Sequence, residues 1–263
     1  MTNLTTLATA LALAMAASAA SAAAGEKAPP DLDIVKTYAE DFTHDPAFVE
    51  PVTFGVKSGD DFYTVAISPA SENAPADVAV RKGAPAAPTF YFTFDEGYLG
   101  KLHTGDLNIL TGMAKAFSTD VTPIDIDVMD GFQPPEDFGD TIVPFTFHFW
   151  TKGQPEIVPI SADKTRFTHG ANAGILYYQP GLRSGWFNIL PGQHVNEHEN
   201  SRTNPFPSMF IMMDGEVTAL VGDERTMFQE NTMMFVPAGV SHQFINEGTE
   251  PAFGFLFMFG DGA

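Results

Sequence analysis

The sequence predicts two domains, an α+β N-terminal half followed by an all-β C-terminal half. Helical and strand periodicities interleave as far as residue 128, whereas from Pro155 onward only short strands with turn punctuation recur. Aromatic usage agrees, with 24 Phe against 2 Trp and 6 Tyr in 263 residues, because such rings pack well on pleated surfaces.

Residues 1–24 carry no Asp, Glu, Lys or Arg, and an apolar run at 7–17 leads into small residues in A-x-A spacing. This pattern predicts a signal peptide and a periplasmic or secreted protein, although no basic residue precedes the apolar run. Residues 25–31 form a short polar linker. An α+β domain is expected over 32–132, opening with a helix at 31–40 that has Leu32, Val35 and Tyr38 on one stripe. Strands follow at 52–56 and 62–67 around the turn at Gly59, and the Ala- and Pro-rich stretch 69–87 reads as loop. A strand at 89–94 aligns Phe90, Phe92 and Phe94, with Asp95 placed to cap a helix carrying Tyr98, Leu99 and Leu102. Gly105 ends that helix, a second helix is expected over 107–117, and 124–128 alternates as a strand.

A connector is expected over 133–154, although Phe145, Phe147 and Phe149 alternate with Thr146, His148 and Trp150 as in a strand. The all-β domain should occupy 155–263, with strands at 173–178, 185–190, 209–213, 217–221, 233–236, 243–245 and 252–259. The last of these is apolar on both faces, which predicts cover on both sides.

Composition excludes several functions. Thirteen basic residues face thirty-three acidic ones, a net charge of −20, which repels nucleic acid and anionic headgroups. Beyond the leader no stretch approaches the roughly 20 apolar residues that span a bilayer. With no cysteine, disulfides, thiolate metal ligands and a Cys nucleophile are absent.

In the segment 231–246, Pro237, Gly239, His242 and Asn246 fall in the spacing P-x-G-x-x-H-x-x-x-N. Pro237 and Gly239 turn the chain between strands, and His242 enters the next strand where it can point inward. This segment resembles the second motif of the cupins, with Asn231 where a Gly normally opens it. The similarity extends over 155–263 and implies a double-stranded β-helix barrel. The first cupin motif would begin at Pro191-Gly192, placing His198 at its first His, Asn200 at its second and Ser208 at its Glu. Only His198 and His242 of the usual three-His, one-Glu set keep a strong ligand. His194 could substitute, but it stands about 13 Å from His198 in a strand rising roughly 3.3 Å per residue, unless the chain bulges. By parity His194, Asn196, His198 and Asn200 share one face.

Three readings stand on these residues. A divalent transition metal (Fe, Mn, Ni or Zn) could sit among His198, His242 and His194, making a cupin enzyme of dioxygenase, isomerase or lyase type. Alternatively His198, Asn200, Ser208 and His242 bind a small, partly apolar organic ligand without metal, the reading favoured by the incomplete ligand set. Or the histidines serve the barrel alone. His44, His103, His148 and His169 read as ordinary structural residues. The resemblance also implies a homodimer.

The stretch 89–128 is similar to sterol-carrier-protein-type domains, which run strand, acidic cap, helix, L-x-x-G, helix, strand. Asp95, Leu102 and Gly105 match. That similarity implies an apolar, lipid-binding cavity lined by Tyr98, Leu99, Leu110 and Met113; spacing alone reads the same residues as domain core.

Overall fold

A computed structural model describes residues 28–151 and 160–263. The expected signal peptide and residues 25–27 of the expected linker lie outside the described residues. Among those described, no helix is long and apolar enough to cross a membrane.

The N-terminal half contains helix α1 (Asp31–Phe42), strands β1 (Val52–Ser58), β2 (Asp61–Ser68), β3 (Asp77–Lys82) and β4 (Phe90–Phe94), short helices α2 (Tyr98–His103) and α3 (Ile109–Met113), strand β5 (Ile124–Val128) and helix α4 (Phe138–Phe149). Its five strands form one sheet in the order β3-β2-β1-β4-β5. Only the β1–β4 pair is parallel. The stripe of α1 that faces this sheet is Ile34, Val35, Tyr38, Ala39 and Phe42, while Leu32, expected on it, is 36% exposed.

Three expectations fail here. The stretch read as loop contains β3, an edge strand whose charged Asp77, Arg81 and Lys82 mask its alternating Val78 and Val80. The second helix is only five residues long. Asn108 caps it by accepting from the Thr111 amide at 2.7 Å, and Gly112 within it lies so close to Ile124 that any side chain there would collide. The first helix is entered through Gly97 at φ 80, not through a side-chain cap by Asp95.

The expected connector is also corrected. Residues 138–149 are a helix that packs into the N-terminal core through Ile142, Thr146 and Phe149. Phe138, Ile142, Phe145 and Phe149 recur at helical intervals, and burial along that stripe overrides the period-two pattern of Phe145, Phe147 and Phe149. Pro144 is tolerated within it.

In the C-terminal half a six-stranded sheet runs β13-β10-β15-β8-β7-β6 and a four-stranded sheet runs β12-β11-β14-β9. The strands are β6 (Arg166–Thr168), β7 (Ala171–Gln179), β8 (Leu182–Ile189), β9 (His194–Val195), β10 (Ser208–Asp214), β11 (Glu216–Val221), β12 (Glu224–Gln229), β13 (Thr232–Val236), β14 (His242–Ile245) and β15 (Ala252–Phe259). Every ladder is antiparallel. The sheets face each other across one apolar cluster, with Phe187, Phe210 and Met212 from one and Val217, Phe228 and Phe244 from the other. Among the described residues the ladders do not join the two sheets into the closed barrel expected. β15 lies between β10 and β8 as a central strand, but most of its aromatic side chains are only half-buried.

The two halves meet along β7. Asn108 donates to the Ile175 carbonyl at 2.7 Å, and the Ile175 amide donates to the Thr111 hydroxyl at 2.9 Å. Arg166 donates to the carbonyls of Thr111, Gly112 and Ala114 at 2.9–3.2 Å, satisfying the C-terminal end of α3. Lys164 pairs with Asp106 at 2.6 Å, and that partner holds the Asp106 carboxyl below its usual range.

Candidate ligand-binding cavity

Between the two C-terminal sheets lies a cavity of about 460 Å³. Its wall is mainly apolar, with Phe187, Phe210, Met212 and Phe244 among the lining side chains. On the β7 side the sheets do not cover it; Leu110 and Met113 from the α3 segment and Val143 from α4 do. So both halves of the chain build the wall.

His242 enters this cavity as expected. The turn before it depends on Gly239 at φ 78, whose amide donates to Asn204 at 2.8 Å, while the His242 amide donates to Arg202 at 2.8 Å. Asn231 adopts φ 60 where the motif has Gly, a conformation Asn tolerates better than other residues with a Cβ. Asn246 is structural: it is 1% exposed, donates to the Ile189 and Glu250 carbonyls and accepts from the Gly248 amide. The His242 side chain is 2% exposed, with Nδ1 3.2 Å from the Val240 carbonyl. The Phe210 ring is 5.6 Å from it. Burial pushes its pKa down, partly offset by the Val240 bond, and the nearby His169 pushes it down further.

The other expected site residues divide. Ser208 is 1% exposed on the inward face of β10 and receives a 3.4 Å contact from Asn204. His198 and Asn200 are exposed. The His198 ring packs against Phe117 at 4.9 Å, and its Nδ1 accepts from the Asn200 amide at 3.2 Å. His198 lines a separate surface recess and not the interior cavity, so the structure does not bring it together with His242. His194 is also outside, with its side chain 42% exposed and 3.9 Å from Glu197.

The reason is local. β9 ends at Val195, Asn196 takes φ 57, and a 3-10 turn follows at Glu199–Ser201. Arg202 holds this bend by donating to the Asn196 and Glu197 carbonyls. β9 pairs with Val195 opposite Phe244, so Val195 lines the cavity and His194 and His198 share the outer face. The left-handed step at Asn196 turns that residue alone inward, at 8% exposure.

One functional candidate was misread from the sequence. His169 and Gly170, at φ 52 and 85, form the two-residue turn between β6 and β7, a type I′ geometry. A side chain on Gly170 would collide with the His194 carbonyl, so the turn packs tightly and carries His169 to the junction of cavity and recess, where it lines both. His169 keeps open surface at that mouth, yet the surrounding chain lowers its pKa by desolvation, against opposing contributions from the Lys115 backbone, Asp120 and Asn196. Asn196 donates to the His242 carbonyl at 3.5 Å and its amide to the His169 carbonyl at 2.8 Å. The only sequence signal was the His-Gly pair before an alternating strand.

Of the cavity residues expected in the N-terminal half, Leu110 and Met113 line a cavity, but it is the one shared with the C-terminal sheets. Leu99 is fully buried in solid core, and Tyr98 is half-buried beneath the Lys101 ammonium, 4.1 Å from its ring.

The residues do not fit the metal set that the cupin resemblance implies. Only His242 of the expected ligands faces the cavity, and the Glu position is a buried serine. Among the described residues no group of three or more His, Cys, Asp or Glu could hold an ion, fewer donors than a divalent ion in N/O coordination ordinarily takes.

Comparison with known proteins places a cupin domain at residues 185–258, where the chain matches the family model described as Cupin domain. Among solved structures, the chain is similar to a Cupin 2 conserved barrel domain protein from Salinispora arenicola (21% identity, 41% of this chain and 90% of the other, TM-score 0.36). It is also similar to a protein of Photorhabdus luminescens (14% identity, 41% and 89%, TM-score 0.37). A third is described as a predicted oxalate decarboxylase from Thermotoga maritima (13% identity, 34% and 79%, TM-score 0.30). No curated protein matches the chain.

Proposed function

We propose, with residues 185–258 a cupin domain, that this protein binds a small, partly apolar organic molecule between its C-terminal sheets, the N-terminal half closing one side. The observation that carries this reading is the apolar cavity of about 460 Å³ with a buried imidazole on its wall. Volumes of several hundred Å³, mostly apolar and with few polar groups, are typical of small-molecule sites. Neutral His242, Asn196 at its base and His169 at the mouth supply the polar groups. Chemistry of the dioxygenase, isomerase or lyase kind would require His198 beside His242, and the bend at Asn196 opposes it. Export goes with this proposal, supported by the apolar leader and its A-x-A spacing. N-terminal sequencing of protein recovered from the periplasm or medium checks it, and an intact leader on that protein would refute it.

The test of binding is calorimetric titration with small apolar alcohols and phenols, including 2-naphthol, on wild type and on Ala173→Trp. Ala173 lines the cavity opposite Phe187, so an indole there fills the space without disturbing the surface. Saturable binding to wild type and its loss in Ala173→Trp are expected. Equal binding by both proteins, or none by either, defeats the proposal.

A further inference from the structure

We infer that the cavity takes an apolar molecule bearing a hydroxyl or N–H donor, which it gives to Nε2 of His242; this ligand class rests on the binding reading above and specifies it. The Val240 carbonyl can only accept, so the Nδ1 atom 3.2 Å from it carries the ring hydrogen. No ion pair joins His242 to a carboxylate among the described residues, and the ring sits against Phe210 and Phe244. A neutral ring with hydrogen on Nδ1 presents a lone pair at Nε2.

Among the described residues that lone pair meets no protein donor. Among the described residues the hydrogen bonds of His242 are its amide to Arg202, its carbonyl from Asn196 and Nδ1 to Val240. An acceptor that faces an apolar cavity without a donor is costly, and a ligand O–H or N–H removes that cost. An ether, ketone or carboxylate would oppose lone pair to lone pair. Thr168, 8% exposed and also lining the cavity, from the other sheet, adds a second polar group, a buried hydroxyl with no partner. It can accept or donate, so it suits the same ligand hydroxyl or a second polar atom nearby.

Two cationic side chains, Lys115 and Arg183, line the cavity. Lys115 pairs with Asp125 at 2.5 Å. Arg183 donates to the Tyr178 hydroxyl and the Gly262 carbonyl. Lys115 is neutralised by its partner, whereas the buried Nε of Arg183 has no hydrogen-bond partner; the chain as a whole is strongly acidic.

The decisive measurement compares 2-naphthol with 2-methoxynaphthalene on the full-length protein. The two share a ring system and differ in the donor. Wild type should bind 2-naphthol about tenfold more tightly, the scale of one buried hydrogen bond gained against one acceptor left unpaired. His242→Leu should bring the ratio near one, and His242→Gln, whose amide oxygen accepts, should restore part of it. Equal affinities in wild type overturn the donor inference and leave the cavity reading standing. Binding of neither probe overturns both. A preference that appears only with added divalent transition metal, and vanishes with chelator, assigns Nε2 to an ion and overturns the inference as well.

Discussion

The two halves of this chain spend their phenylalanines differently. In the N-terminal half, Phe54 is fully buried and touches Phe90, Phe92, Phe145 and Phe149 at centroid distances of 4.9–5.7 Å. The rings there fill the space between one sheet and its helices. In the C-terminal half Phe187, Phe210 and Phe244 stand around a void of about 460 Å³. Close packing is the rule inside proteins, because each missing neighbour forfeits dispersion and transfer energy. A hollow ringed by aromatic side chains beside a core packed solid around Phe54 is the contrast on which the proposed binding rests.

The largest expected effect follows from that contrast. Phe54→Ala removes a ring with neighbours on every side and should cost about 4 kcal/mol, within the usual range for buried Phe truncations. Phe187→Ala removes a ring that already borders empty space and should cost roughly half as much, since fewer contacts are lost. Urea midpoints at unchanged slope measure both. Equal costs would mean that the C-terminal cavity is collapsed or filled in solution.

The reverse substitution sharpens the same comparison at smaller amplitude. Gly112→Ala drives a methyl into Ile124 in the solid half and should cost about 1–3 kcal/mol. Ala173→Val adds two methyl groups toward the hollow and should stay within about 0.5 kcal/mol of wild type. A destabilised Ala173→Val with a tolerated Gly112→Ala would invert the assignment of solid and hollow halves.

What could be read in the sequence follows the range of the forces involved. The second cupin segment was legible because its turn, its strand entry and His242 are fixed by neighbours a few residues apart. The alternation of β15 and the stripe of α1 were legible for the same reason. Phe145, Phe147 and Phe149 misled, since a two-residue alternation was overridden by a helix packing on a distant sheet. β3 escaped because an edge strand keeps charges that dilute its pattern. His198 lies outside together with His194, on the face the two share by parity, because β9 pairs with Val195 opposite Phe244 and so turns Val195 to the cavity; no composition signal announces that register. His169 escaped because its position depends on a tight turn packed against the His194 carbonyl, a contact between segments far apart in sequence. That the N-terminal half completes the cavity was invisible for the same reason: Asn108 and Thr111 find Ile175 only in the fold.

The smallest expected effect concerns acid. His169 and His242 both have pKa values pushed below the ordinary 6.5 by burial, whereas in the unfolded chain they titrate near that value. Below about pH 6.5 the unfolded state therefore binds more protons than the folded one, and stability falls as pH falls. Above that pH their contribution is complete. The carboxylates held low by partners, Asp106 by Lys164 and Glu247 by Thr218 and Arg225, start from ordinary values of 3.8 and 4.5 and lose their contribution only in more acidic solution. Urea unfolding at pH 7.5 and 5.5 therefore isolates the histidines. Wild type should be less stable at the lower pH, and His242→Leu should flatten the slope, because that variant has one imidazole fewer to protonate on unfolding. An acid sensitivity unchanged in His242→Leu would mean that the ring is open to water, and the hollow half would lose the dry, neutral acceptor on which its ligand chemistry depends.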